Sequence, residues 1–132
     1  MIHEIEISTN KKEEIIDITN LVKDTLQKED IYNGICYVMV PHTTAGITIN
    51  ENADPSVKSD VLKAFKHIVP DNLGFKHAEQ NSPAHVKSIL CGFSVMIFIE
   101  EKYLRLGTWQ GIYFCEFDGP RRRKIQVKFI KA

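Results

Sequence analysis

From Phe93 onward the chain offers one short strand after another, and this constrains the fold more than any other feature. Ser94–Ile99, Tyr103–Gly107, Ile112–Phe117 and Lys124–Ile130 are rich in β-branched and aromatic residues, and the last turn between them is Asp118-Gly119-Pro120. In the final segment Ile125, Val127 and Phe129 alternate with Gln126, Lys128 and Ile130, so one of its faces is buried. Connections this short join strands antiparallel, because a parallel pair needs a long crossover. Lysine and arginine on a strand discourage unwanted pairing, so this basic strand is expected at a sheet edge.

The first two-thirds of the chain is mixed. Glu4-Ile5-Glu6-Ile7 alternates as a half-buried strand, and Glu14 to Ile18 reads as a second. Thr19 is expected to cap a short helix over Asn20–Lys28, with Val22 and Leu26 one turn apart on its inner face. After the Asn33-Gly34 turn, Ile35–Val40 is an unbroken apolar run that suits a central strand, and Ala45–Asn50 is another strand. Asp54 as N-cap and Pro55 at the first helical position open a helix with Val57, Val61, Leu62, Phe65 and Ile68 on one face, ended by Pro70. A polar loop over 71–80 follows. Asn81 or Ser82 before Pro83 then opens a further helix through Leu90, which Gly92 closes. The expected class is α+β: mostly antiparallel sheet or sandwich, with two to three helices in the first two-thirds. With 132 residues, no linker and no repeat, residues 1–132 form one domain.

Several functions are excluded. No apolar run reaches the 18 or so residues of a membrane span, and Met-Ile-His-Glu-Ile-Glu has neither the basic lead nor the apolar stretch of a secretory signal. Three cysteines without a CxxC pair read as buried, reduced thiols, so a cytoplasmic protein is expected. Seventeen basic against 17 acidic residues argue against general nucleic-acid binding, although the start of the chain is acidic and its last residues are basic. There is no Walker loop, no GxGxxG after a strand and no GxSxG elbow.

The residues that can carry chemistry are histidines and arginines. His42 follows a strand and Pro41, His77 lies in the polar loop, and His85 lies in the first turn of the helix that the loop feeds. The last two are spaced to converge. Three imidazoles with an open fourth position make the ligand set of a catalytic zinc, and Glu79, Glu51 and Asp54 are candidates for a fourth ligand or a general base. No HExxH register is present, so the same histidines can equally be ordinary polar residues. His3 and His67 read as structural. In Pro41-His42-Thr43-Thr44 two hydroxyls after an imidazole can hold an anion, or simply fill a strand. Arg121, Arg122 and Arg123 after Asp118-Gly119-Pro120 match phosphate geometrically, or form a solvated turn. The single Trp109, in Gly107-Thr108-Trp109-Gln110-Gly111, marks either a place where a ligand or subunit approaches the backbone or a bulged hairpin.

Four segments together resemble the YjbQ-like family of secondary thiamine-phosphate synthase enzymes. They are Pro41 to Glu51, His77 to His85, Gly107 to Phe114 and Cys115 to Arg121, and the resemblance spans essentially the whole chain. It implies a small cytoplasmic α+β protein that assembles as a homotrimer. It also implies a weak synthase activity, joining a hydroxymethylpyrimidine diphosphate to a thiazole phosphate with release of diphosphate. Carried onto this sequence, it marks His42, His77 and His85, read here as metal ligands. It marks Glu51, Glu116 and Asp118, read as catalytic acids and bases. Thr43, Thr44, Asn50, Asn81, Trp109, Gln110 and Arg121, joined by Arg123, are read as substrate-binding. Gln80 departs from the glycine expected in many relatives. Diphosphate displacement calls for a divalent metal and arginine donors. Three imidazoles favour zinc or another transition metal, whereas diphosphate chemistry usually recruits Mg²⁺. A non-catalytic metabolite-binding or regulatory trimer is the alternative; neither nucleic acid nor membrane is an expected partner.

Overall fold

A computed structural model describes residues 1–132. Its elements are β1 (Ile2–Ser8), β2 (Glu14–Asp17), α1 (Thr19–Gln27), β3 (Gly34–Met39), β4 (Ala45–Glu51), α2 (Pro55–Ile68), α3 (Ser82–Cys91), β5 (Ser94–Glu100), β6 (Tyr103–Leu104), β7 (Gln110–Glu116) and β8 (Arg122–Lys131). They form an α+β sandwich of two antiparallel sheets, ordered β1-β8-β3-β5-β6 and β2-β7-β4. No helix is long and apolar enough to cross a membrane.

Alternation builds the core. Cys36 and Val38 of β3, Ile97 and Ile99 of β5, and Ile125 and Val127 of β8 point from the large sheet onto Ile47, Ile112 and Phe114 of the small one. Val22 and Leu26 of α1 complete this layer. The opposite face of the small sheet carries Tyr113, Cys115 and Phe117 under α2 and α3, packed with Ala84, Leu62, Phe65 and Cys91. β7 is therefore covered on both sides, and every residue from Gly111 to Glu116 is buried. Burial of this kind stabilises by about 25 cal/mol per Å² of apolar surface removed from water.

Four local expectations are corrected. The basic final strand is not an edge: β8 lies between β1 and β3. Apart from the buried Arg123, its charges Arg122, Lys124 and Lys128 occupy the outward half of the alternation, where Lys124 and Arg122 face Glu4 and Glu6 across the pair, so mid-sheet charge there costs little. Thr19 does not cap α1. Its hydroxyl donates to Asp17 and accepts the backbone N–H of Ile112, which ties the start of the helix to β7. The strand expected over 103–107 shortens to Tyr103–Leu104. The apolar stripe of α2 is correctly placed but only half covered, and Ile68 is 61% exposed.

Asp54 does cap α2, accepting the N–H of Ser56 at 2.9 Å, with Pro55 in the first turn. The central run of β3 is indeed mid-sheet, yet it is covered on one side only. Tyr37 and Met39, with Met96 and Phe98 of β5 beside them, leave an apolar outer face.

Candidate functional site

The carboxyl end of β7 and the amino end of β8 are joined by a buried ion pair. Glu116 is 0% exposed, and its carboxylate accepts from Arg123 Nε at 2.9 Å and from the Thr9 hydroxyl at 2.7 Å. Arg123 Nη2 also donates to Thr44 Oγ1 at 2.8 Å. Four chain segments, those of Thr9, Thr44, Glu116 and Arg123, thus meet on one ion pair. Burial works to raise the Glu116 carboxyl, but hydrogen bonds from Arg123, Thr9 and the Asp118 backbone outweigh it and hold the group below its ordinary value. The turn therefore does not present three guanidiniums: Arg121 and Arg122 are outside, and Arg123 is consumed within the sandwich. Gly119 fits this turn because a Cβ there would lie 2.3 Å from the carbonyl oxygen of Lys11.

Asp118 stands just beyond that pair and is open to solvent on one side. It accepts from Asn81 Nδ2 at 3.0 Å and from Arg121 Nη2 at 2.9 Å. Partial burial raises its carboxyl, but these two partners prevail and it lies below its usual value. The Asn81 bond also orients the amide, leaving the buried Oδ1 without a partner. A polar cleft of about 450 Å³ opens here, lined by Asn81, Asp118, Arg121, Lys12, Lys66 and Lys87 among others. Lys87 is only 2% exposed and is paired with Glu13 at 2.6 Å. Neither member of that pair was singled out from sequence. The available signal was position, since Lys87 shares a helix face with the buried Ala84, three residues before it.

On its other side α3 faces a second cleft of about 660 Å³, mostly apolar, lined by Met39, Pro41, His42, Thr43, His85 and Phe93 among others. His77 and His85 converge as expected, edge to face with ring centroids 5.3 Å apart. His42 shares the apolar cleft with His85, but its Nε2 already accepts the backbone N–H of Lys124 at 3.0 Å. Desolvation first, and the nearby Arg123 charge second, hold the His42 imidazole below its ordinary value, so it is neutral at pH 7. As folded, two imidazoles stand together and the third is engaged elsewhere; no group of three His, Cys, Asp or Glu has metal-binding geometry. Asp54 is spent on the helix cap, and Glu79 lines the polar cleft. Gln80 adopts φ 60°, the left-handed conformation that glycine takes more easily.

The remaining marked residues are elsewhere. In the β4–β7 pair Ala45 is opposite Glu116 while Glu51 is opposite Gln110, so six residues of extended chain, about 20 Å, separate the two ends. Asn50, Glu51, Gln110 and the 65% exposed Trp109 belong to the far end. Their polar atoms serve local structure: Glu51 Oε2 accepts from Ala53 N–H, Asn50 Oδ1 from Glu51 N–H and Gln110 Oε1 from Gly107 N–H.

Residues 3–132 match the family model described as UPF0047 protein YjbQ-like. The chain belongs to the YjbQ-like UPF0047 family. Among UPF0047 relatives, protein MJ1081 of Methanocaldococcus jannaschii is 52% identical over 130 residues, covering 98% of this chain and 94% of that protein. YugU of Bacillus subtilis is 49% identical, covering 98% and 99%. A solved YjbQ/UPF0047 structure from Clostridium acetobutylicum superposes with a TM-score of 0.95 at 52% identity, covering 97% and 99%. A Sulfolobus solfataricus structure, described as a YbjQ-like protein of unknown function, gives 0.95 at 33% identity, covering 100% and 97%. The sandwich and its α3 clefts thus stand within a UPF0047 fold.

Proposed function

We propose that this protein is a cytoplasmic enzyme acting on a phosphorylated small molecule at the N-terminal half of α3. One observation carries the reading: segments 41–44, 77–85 and 116–121, far apart in the chain, converge around that half-helix, linked by the Asn81–Asp118 and Arg121–Asp118 bonds and the His77–His85 pair. The ligand's phosphate lies in the polar cleft, where Arg121 with Lys12 and Lys66 offsets its charge. Asp118, ionised and already hydrogen-bonded, orients Arg121 and Asn81. The apolar cleft takes the body of the substrate, with His85 at its wall as the proton acceptor, since His42 Nε2 already accepts the Lys124 N–H. A transition metal, zinc first, belongs to this reading on the His77–His85 pair; His42 joins only if its bond from Lys124 is given up.

Thiamine-phosphate synthesis is the reaction to assay first. In it a carbon–oxygen bond to diphosphate breaks, a carbon–nitrogen bond forms, and the leaving diphosphate needs cationic partners. Protein made in a host lacking its own synthase is assayed beside Arg121→Ala and His85→Ala. Loss of turnover by about tenfold or more in both supports the assignment, since one lost charge-assisted contact costs about that much. Equal turnover in all three proteins removes it.

The apolar outer face of the large sheet favours a second element of the proposal, a homotrimer in which other copies cover Tyr37, Met39, Met96 and Phe98. Phe98 alone is 60% exposed, and contiguous apolar patches on soluble proteins usually mark contacts. Light scattering at micromolar concentration should give three times the chain mass, and Phe98→Glu should lower it. A monomeric wild type rejects the trimer.

A further inference from the structure

We propose that Cys91 and Cys115 form an oxidant-responsive thiol pair that closes to an intramolecular disulfide, stapling the C-terminal end of α3 to β7. Three observations converge. Cys115 is on the helix-facing side of β7 with Tyr113 and Phe117, and Cys91 packs against that same cluster. Gly46 is directly opposite Cys115 in the β4–β7 pair, and a Cβ on Gly46 would lie 2.9 Å from Cys91 Sγ and 3.0 Å from Cys91 Cβ. The Cys91 side chain therefore occupies the space that a residue at 46 would fill, beside its cross-strand neighbour. Cross-strand Cβ atoms are about 5 Å apart, so Cys91 stands beside the partner position of Cys115, and closing the disulfide brings the two Cβ atoms to about 4 Å. Finally, the two thiols perturb one another, Cys115 lowering the Cys91 thiol and Cys91 raising the Cys115 thiol.

The pair is asymmetric in a useful way. Cys91 is half-buried at the end of its helix, whereas Cys115 is 2% exposed. Cys91 is the sulfur an oxidant can reach, and the neighbouring Cys115 holds its thiol below the ordinary value, which makes Cys91 the attacking sulfur. With a peroxide, the Cys91 thiolate takes one oxygen to become a sulfenic acid and releases hydroxide. Cys115 then displaces the sulfenic hydroxyl as water, its own proton completing the balance. Two thiols lose two protons and two electrons, and one peroxide becomes two waters. In a reducing compartment such a bond forms transiently and thiol exchange reverses it. Cys36 provides an internal control: it lies in the other core layer, fully buried, where desolvation pushes its thiol up to about 12.

The staple acts on α3, which carries His85 and Lys87 on the two clefts. To test it, reduced protein freed of reductant is treated with hydrogen peroxide or glutathione disulfide and mapped by non-reducing proteolysis and mass spectrometry. The expected product is a Cys91–Cys115 linked peptide two hydrogens lighter than its reduced parts, absent in Cys91→Ser and retained in Cys36→Ser. Accumulation of Cys91 as sulfinic acid or glutathione adduct beside a free Cys115 overturns the proposal. Oxidation of Cys36 at the same rate, or links formed only between chains, does so too. The wild-type map alone decides, so poor folding of a variant does not obscure the answer.

Discussion

Glu116 shows how far a single residue's role can differ from its chemical type. A carboxylate beside an arginine-rich turn reads as a catalytic candidate, but this one is fully enclosed and bonded to Arg123, Thr9 and the Asp118 backbone. Removing one partner of such a pair strands a buried charge. Glu116→Ala should therefore cost about 3–5 kcal/mol in urea unfolding, whereas Glu116→Leu combined with Arg123→Met should recover most of the loss. A loss under 1 kcal/mol for the single variant would mean that water reaches the pair. Arg123 could not have been told from Arg121 in the sequence, because strand alternation ranks faces but does not say which one meets a buried acid. The convergence of His77 and His85, in contrast, was legible: a loop that feeds directly into a helix turn keeps its ends close.

Of the two helices over the small sheet, one is anchored and one is loosely held. α3 is fixed by Ser88, whose hydroxyl donates to the Ala45 carbonyl at 2.6 Å, and by the buried Lys87. α2 has no buried residue, so its N-cap supplies a larger share of its stability. Asp54→Ala should cost about 1 kcal/mol locally, seen as roughly fivefold faster amide exchange across Val57–Ala64. Unchanged exchange would mean that packing on Tyr113 and Phe117 holds the helix instead. The start of α2 was readable because Asp-Pro-Ser carries its own geometry. The start of α1 was misread because Thr19 had a better partner in β7, 93 residues away in sequence.

At the scale of the whole molecule, three buried or half-buried groups make stability depend on pH, beside the exposed Glu4 and Asp54. His42, Glu116 and Asp118 all have folded values below their ordinary 6.5, 4.5 and 3.8. Each binds its proton less readily folded than unfolded, so the unfolded chain takes up more protons as pH falls. Their contributions are complete above about pH 6.5. Stability then declines, first below 6.5 through His42 and again below about 4.5 through the carboxylates. Urea midpoints measured from pH 8 to pH 4 should show both stages, and His42→Gln should flatten the upper one; a profile unchanged by that variant would place the upper slope elsewhere. The class of fold, the order of elements and the antiparallel closing strands were present in the sequence, because alternation, caps and turns are local properties that each segment carries with it. What only the tertiary structure decided was neighbourhood. It put β8 mid-sheet, spent Arg123 on Glu116, divided the marked residues between two ends of a sheet and placed Cys91 against Cys115. Those outcomes depend on which strands pair and in what register, and pairing is settled by the packing of both sheets at once.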